Sequence, residues 1–131
     1  SHVIPALIHK FYLAKLSSST VKILGNLNNK RCFMNSEDAA EAIYRLLKNK
    51  NEVINIQGNT EVSIYDLVVT LSEIFKYKKF SFVKSKYKPI ARRSLNLSIL
   101  KKTGFKQKYT LEDGLINTVN WFLKNYKILR K

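Results

Sequence analysis

The chain has 131 residues, of which 45% are hydrophobic, and a chain of this kind can bury a core without metal ions or disulfides. Its single cysteine, Cys32, excludes an internal disulfide and a cysteine-based zinc site. The formal net charge of +15 would suit nucleic acid, but no helix-turn-helix, zinc or RNA-binding motif accompanies it, so that partner is disfavoured. Short apolar runs and the lack of a signal peptide predict no membrane partner and a cytoplasmic location.

The first sixteen residues predict an amphipathic helix with a histidine just before it. Pro5 suits the first turn, where its missing N–H costs nothing. Apolar residues recur at spacings of three and four, and Lys10 and Lys15 fall on the other side. His2 is either a frayed terminal residue or a group that a ligand can reach, and the residues alone favour the first interpretation.

Short strands are predicted between the helices. Alternating apolar residues indicate them at four places, 21–24, 31–34, 53–56 and 80–83. Few short strands among longer helices are typical of a small mixed α/β domain. We expect residues 1–131 to form one such domain.

Capping residues predict where the next helices begin. Ser36 is the expected N-cap of one helix, with Glu37 and Asp38 placed to favour the positive end of its dipole. Ser63 and Asp66 have the spacing of a capping box at the start of another. The buried face of the helix after Ser36 is expected to hold five apolar residues: Ala39, Ala40, Ile43, Leu46 and Leu47.

The last third of the chain predicts two more helices. Asn96 is expected to cap a short one, and Gly104 suits the left-handed residue after its end. Thr110 begins the final helix, whose apolar and aromatic residues, including Trp121, are interpreted as packing. The spelling Tyr44-x-x-x-Lys48 matches a dehydrogenase motif, but no glycine-rich dinucleotide loop precedes it, so we interpret it as coincidence.

Several motifs occur in an order that resembles the C-terminal half of nucleotide-sugar epimerases of the extended short-chain dehydrogenase/reductase family. Within it, the opening Ser-His-Val-Ile-Pro is most similar to the GDP-fucose synthase branch. The resemblance spans essentially the whole chain and rests on these segments: Ser1-His2-Val3-Ile4-Pro5, Gly25, Arg31-Cys32-Phe33, Glu37-Asp38-Ala39-Ala40, Ile54-Asn55-Ile56-Gln57-Gly58, Ser63-Ile64, Lys88-Pro89, Arg92-Arg93-Ser94-Leu95-Asn96, Gly104-Phe105 and Leu111-Glu112-Asp113-Gly114-Leu115.

The resemblance implies roles for individual residues. His2 takes the position of a general acid that acts while carbanions form beside the 4-keto group of the sugar. Leu24 stands where relatives have tryptophan, and Lys10 where they usually have arginine. The implied substrate-binding residues are Lys10, Leu24, Arg31, Lys88 and Arg92.

The resemblance also implies that a Rossmann half, with the NADP loop and the catalytic Tyr–Lys pair, lies outside these residues. We therefore expect NADP in the complete enzyme, and neither cofactor binding nor turnover by residues 1–131 alone. The implied substrate is a nucleoside-diphosphate sugar, such as a GDP-4-keto-6-deoxyhexose, used for surface polysaccharide, and the complete enzyme is expected to be a homodimer. The alternative is a non-catalytic basic module that binds nucleic acid or another polyanion through 76–93, where the positive charge is densest.

Overall fold

Five helices and four short strands make up the described part of the chain. The structure is a computed structural model, and it describes residues 2–47, 53–83 and 95–129. The elements follow the order α1 (Val3–Leu16), β1 (Val21–Leu24), β2 (Lys30–Cys32), α2 (Ser36–Leu46), β3 (Glu61–Ser63), α3 (Ile64–Ile74), β4 (Phe80–Val83), α4 (Ser98–Lys102) and α5 (Leu111–Leu129). The predicted mixed α/β architecture of helices and short strands is confirmed.

The strands form two separate pairs. β1 runs parallel to β4, with Val21 opposite Phe80, and β2 runs antiparallel to β3, with Lys30 opposite Ser63. The predicted strands over 21–24 and 80–83 are therefore confirmed, and the one predicted over 31–34 lies at 30–32.

The prediction of a strand over 53–56 is wrong. The strand that follows β2 along the chain and pairs with it is β3, at Glu61–Ser63. Residues 53–56 are irregular, and Val53 is 98% exposed. Ile54 and Ile56 pack against a small cluster formed by Ala42, Leu46 and Leu100. Their alternation reflects contact with helices on one side, which sequence periodicity cannot distinguish from strand pairing.

The main core joins α1, α3 and α5 to the β1–β4 pair. Phe11 is fully buried, stacks on Phe75 with ring centroids 5.7 Å apart, and meets the edge of Phe80. α3 contributes three buried apolar residues, Leu67, Val68 and Leu71. Each such side chain contributes about 1.5–3 kcal/mol by leaving water, so this core holds α1 firmly against the strands.

α2 presents a different face to the core from the one predicted. Its buried residues are Asp38, Ala42 and Leu46, whereas Ile43 and Leu47 are 53% and 68% exposed. Its N-cap is the residue before Ser36, Asn35, whose side chain accepts a hydrogen bond from the backbone of Glu37 at 2.8 Å. The expectation that Ala40, Ile43 and Leu47 are buried is therefore wrong.

The rotation of α2 has a polar cause. The carboxylate of Asp38 accepts hydrogen bonds from the backbone N–H groups of Lys108 and Tyr109, at 2.8 and 3.1 Å. Only 3% of Asp38 is exposed. These hydrogen bonds hold the segment before α5 against α2. The face of α2 that carries residues 38, 42 and 46 is therefore the buried one.

We expect Asp38→Ala to lower the free energy of unfolding by about 2–4 kcal/mol, because it leaves two backbone donors without their acceptor. The control is Glu41→Ala on the same helix, which removes an exposed carboxylate paired with Arg45 at 2.6 Å. Exposed pairs contribute about 0–1 kcal/mol. Urea denaturation followed by circular dichroism measures both, and equal losses in the two variants would contradict the role given to Asp38.

The last two long helices start as the sequence predicts. Ser63 and Asp66 form a capping box at α3, in which the Ser63 side chain accepts from the Asp66 backbone at 3.0 Å. Thr110 and Asp113 make the same reciprocal pair before α5, at 3.1 and 3.2 Å. Gly104 has a φ of 72°, the left-handed conformation expected after α4.

One prediction for α5 is wrong. Trp121 was expected to pack in the core, but it is 56% exposed. Leu115 and Val119 are buried, and Phe122 meets the ring of Tyr12 at 5.4 Å. Two positions along a helix correspond to a rotation of about 200°, so the burial of Val119 turns Trp121 away from α1.

Candidate functional site

A cavity of about 380 Å³ lies between α1, the end of β1, β2 and the start of α3. We call it the α1–β2 cavity. It brings together three of the residues singled out from the sequence, which come from three different elements: Lys10, Leu24 and Arg31. Up to 21 positions of sequence separate these residues, and the packing of α1 on β1 brings them together in space.

Each of the two cationic side chains in this cavity is held by the backbone beside it. The Lys10 ammonium donates to the carbonyl oxygen of Lys22 on β1 at 3.0 Å. Arg31, half-buried on β2, donates to the carbonyl oxygen of Lys30 at 2.6 Å and is held by a further interaction within the chain. An ammonium has three donors, so Lys10 keeps two for an anion, and the planar guanidinium suits phosphate oxygens.

Apolar side chains also line the α1–β2 cavity. Leu7 and Ile23 are buried there, while Leu24 is 66% exposed at the rim. Gly25 follows with a φ of 133°, and a Cβ at this residue would meet nothing within 4 Å. The cavity therefore combines fixed positive charge with an apolar side that a ribose or hexose ring could contact.

His2 lies close to this cavity along the chain but is not among its lining residues. It is the N-cap of α1, its carbonyl oxygen accepts from the Ala6 N–H at 3.1 Å, and its imidazole is exposed and makes no capping hydrogen bond. Val3, the next residue, does line the cavity. The general-acid role of His2 stays a prediction, and Lys88 and Arg92 lie outside the described residues.

A second cavity lies between the beginnings of α2 and α5, and no motif in the sequence indicates it. It has a volume of about 210 Å³ and adjoins another of about 380 Å³, with Gln107 and Thr110 in both walls. The side chain of Gln107 is already paired here, because it accepts from the Asn59 backbone at 3.0 Å and donates to the carbonyl of Tyr109 at 2.6 Å. These bonds hold loops together, so we assign this region a structural role.

Beside this second cavity, the hydroxyl of Tyr109 donates to the Glu37 carboxylate at 2.5 Å. This hydrogen bond is the main reason that the pKa of Tyr109 lies above its ordinary value of 10.0, with a smaller contribution from burial and an opposing one from Lys108. Because the pKa of Tyr109 is raised, its hydrogen bond with Glu37 stabilises the fold at pH values below 10.0, the ordinary pKa of tyrosine. This contribution is lost as the pH rises through the pKa that Tyr109 has in the folded protein.

We expect Glu37→Gln to lower the pKa of Tyr109, because the amide removes both the charged acceptor and its repulsion of a phenolate. Ultraviolet absorbance of tyrosinate against pH measures the shift, with Tyr109→Phe identifying the transition. An unchanged transition in Glu37→Gln would show that Glu37 does not perturb the phenol.

The chain is similar to known proteins of one family. Residues 1–57 match the NAD dependent epimerase/dehydratase family. The chain is 34% identical over 129 residues to a GDP-L-fucose synthase of Sinorhizobium fredii, covering 95% of this chain and 41% of that protein. Residues 1–57 thus carry a domain of the NAD dependent epimerase/dehydratase family.

Two further relatives agree with this family. A GDP-L-colitose synthase of Yersinia pseudotuberculosis is 32% identical, with 94% of this chain and 42% of that protein covered. The crystal structure of a GDP-L-fucose synthetase from Naegleria fowleri bound to NADP superposes with a TM-score of 0.90 at 26% identity, covering all of this chain and 41% of that one. The chain thus spans about two fifths of the length of these relatives.

The described residues contain no glycine-rich strand–loop–helix of the kind that binds a dinucleotide cofactor. β1 leads through Gly25 into a turn and then β2, whereas a dinucleotide loop connects a strand directly to a helix. The four glycines, at positions 25, 58, 104 and 114, are too far apart for the G-x-G-x-x-G fingerprint.

Across 2–47, 53–83 and 95–129, no helix has the length and apolar content to span a membrane.

Proposed function

We propose that this chain is the substrate-binding part of a nucleotide-sugar epimerase/reductase, and that the α1–β2 cavity holds the diphosphate of its substrate. The observation that carries the proposal is the convergence of Lys10 and Arg31 in one cavity with Leu24 at its rim. All three occupy positions that the family resemblance assigns to substrate binding. The GDP-L-fucose and GDP-L-colitose synthases among the relatives support a GDP-linked sugar as the substrate.

In this proposal the diphosphate lies between the two cations. The Arg31 guanidinium offers a fork of N–H donors to phosphate oxygens, and the Lys10 ammonium adds a point charge from α1. Both are positioned by backbone carbonyls, so little side-chain freedom is lost on binding. Leu24 supplies apolar contact only, because it lacks the flat surface on which a ring could stack.

The proposed chemistry takes place beside the 4-keto group of the sugar. A base removes a proton from the carbon next to the ketone, and an acid returns a proton to the opposite face, which inverts that carbon. We assign the proton return to the His2 imidazole, which the fold places one residue before the cavity wall. NADPH would supply the hydride for reduction, and we propose that a Rossmann half outside these residues holds it.

The remaining parts of the proposal follow from the same assignment. Residues 1–131 form a single substrate-binding domain, an idea supported by a core that unites α1, α3 and α5 with β1 and β4. The complete enzyme would be a cytoplasmic homodimer that makes a precursor of surface polysaccharide. Without the Rossmann half, the chain would bind the sugar nucleotide and catalyse no reduction.

Calorimetric titration of the purified protein with GDP tests the proposal, with guanosine as the matched ligand that lacks the diphosphate. We expect saturable binding of GDP and affinity for guanosine lower by about 100-fold, because two charge-assisted contacts are lost. Duplex DNA serves as a polyanion control. Salt-sensitive DNA binding without GDP binding would instead identify a basic nucleic-acid module.

A further inference from the structure

Asn29 is a buried polar residue in the wall of the α1–β2 cavity. It is 6% exposed, and the other buried polar or charged residues in the described chain are Asp38 and Ser72. Asp38 accepts two backbone hydrogen bonds, and the Ser72 hydroxyl donates to the carbonyl of Val69 at 2.7 Å. The carboxamide of Asn29 has no hydrogen-bond partner among the described residues.

The backbone of Asn29 is fixed although its side chain is not paired. Its N–H donates to the Asn26 carbonyl at 3.2 Å, and its carbonyl oxygen accepts from the N–H of Ile64, the first residue of α3, at 3.0 Å. It precedes Arg31 by two positions, which is the spacing of residues on one side of an extended segment, and both line the cavity. The backbone that carries the amide is therefore fixed beside the proposed diphosphate site.

An amide in this position finds its hydrogen-bond partner outside the chain. Nearly all buried polar groups in folded proteins are paired, either with protein atoms or with water. No unpaired side-chain nitrogen or oxygen is fully sealed from solvent in the described chain. Because Asn29 lines the α1–β2 cavity, we infer that its amide is open toward this cavity.

We propose that Asn29 is a specificity-determining residue whose carboxamide hydrogen-bonds a sugar hydroxyl of the bound nucleotide sugar. This inference rests on the proposed function. Phosphate oxygens of the diphosphate only accept hydrogen bonds, so they would leave the amide oxygen unmatched. A hydroxyl both donates and accepts, and it is present on the ribose and on the hexose.

The test compares Asn29→Leu with the unaltered protein by calorimetry, using GDP-mannose, GDP and inorganic pyrophosphate as ligands. Leucine keeps the shape of asparagine and removes its hydrogen-bonding groups. We expect the affinity for GDP-mannose to fall about tenfold, which is about 1.4 kcal/mol, and the affinity for pyrophosphate to stay the same. An equal fall for GDP places the hydroxyl on the ribose, and an unchanged affinity for GDP places it on the hexose.

The matched control is Asn28→Leu, the same change at the neighbouring asparagine, which is exposed and is not among the residues lining the cavity. It should bind all three ligands as the unaltered protein does. Equal GDP-mannose affinity in Asn29→Leu and the unaltered protein, or an equal loss for pyrophosphate, would overturn the inference alone. Failure of the unaltered protein to bind either nucleotide would overturn the proposed function and the inference with it.

Thermal stability gives a second readout. If the amide has no partner within the protein, Asn29→Leu loses no hydrogen bond, and its Tm should equal or exceed that of the unaltered protein. A Tm clearly below that of Asn28→Leu would show that the amide is bonded within the fold, and this would overturn the inference.

Discussion

Gly58→Ala should lower the free energy of unfolding by about 3 kcal/mol or more, at or beyond the upper end of the usual cost of overpacking. A Cβ at Gly58 would lie 1.9 Å from the carbonyl oxygen of Phe33 and 2.8 Å from its carbonyl carbon. Both are backbone atoms, so no rotamer change relieves the overlap. The loop before β3 and the segment between β2 and α2 would have to separate.

The control for this variant is Gly114→Ala in α5. A Cβ at Gly114 would be 3.5 Å from the Asn35 amide nitrogen, an ordinary contact, and alanine favours a helix interior over glycine by about 1 kcal/mol. The urea midpoint of Gly114→Ala should therefore equal or exceed that of the unaltered protein, and the midpoint of Gly58→Ala should lie far below it. Equal midpoints for Gly58→Ala and the unaltered protein would refute the close approach. Phe33 also lines the α1–β2 cavity, so the same contact helps to shape the proposed site.

Arg31→Ala should weaken binding of GDP-mannose by about 100-fold, which corresponds to about 2.7 kcal/mol. The guanidinium is the group in the α1–β2 cavity best suited to a diphosphate, because its donors match two phosphate oxygens at once. Arg31→Lys keeps the charge without the fork and should lose about tenfold, which separates geometry from charge. Calorimetry with GDP-mannose measures both variants.

Arg45→Ala is the matched control for the Arg31 variants. Arg45 is an exposed arginine on α2 that pairs with Glu41 at 2.6 Å and is not among the residues lining the α1–β2 cavity. Its replacement should leave the affinity unchanged. If Arg45→Ala and Arg31→Ala weaken binding equally, the effect comes from the total charge of the protein and the cavity is not the site.

Local signals in the sequence predicted the features that depend on neighbours along the chain. The capping box at Ser63, the start of the last helix at Thr110 and the left-handed Gly104 each follow from a few adjacent residues, and the structure confirms them. The face of α2 could not be predicted in this way. It is set by backbone donors at Lys108 and Tyr109, which are 70 and 71 positions from Asp38. The periodicity of α2 itself carries no sign of them.

The residues of the proposed site also fall into those that the sequence could indicate and those that only the fold reveals. Lys10, Leu24 and Arg31 were singled out through the family resemblance, and only the packing of α1 on the strands shows that they share a cavity. Asn29 was not singled out, because asparagines in a turn next to glycine look like ordinary loop residues. Its burial arises from the contact of this turn with the start of α3, which is a property of the fold.

The most direct test of the proposed substrate site is to map where GDP-mannose binds, by following backbone amide NMR signals of the ¹⁵N-labelled protein during titration. Binding in the α1–β2 cavity predicts the largest shifts at Lys10, Gly25, Asn26 and Arg31, with little change at Thr118 in the cavity between α2 and α5. Shifts centred on Thr118 and its neighbours, with the first four signals unmoved at saturation, would contradict the assignment.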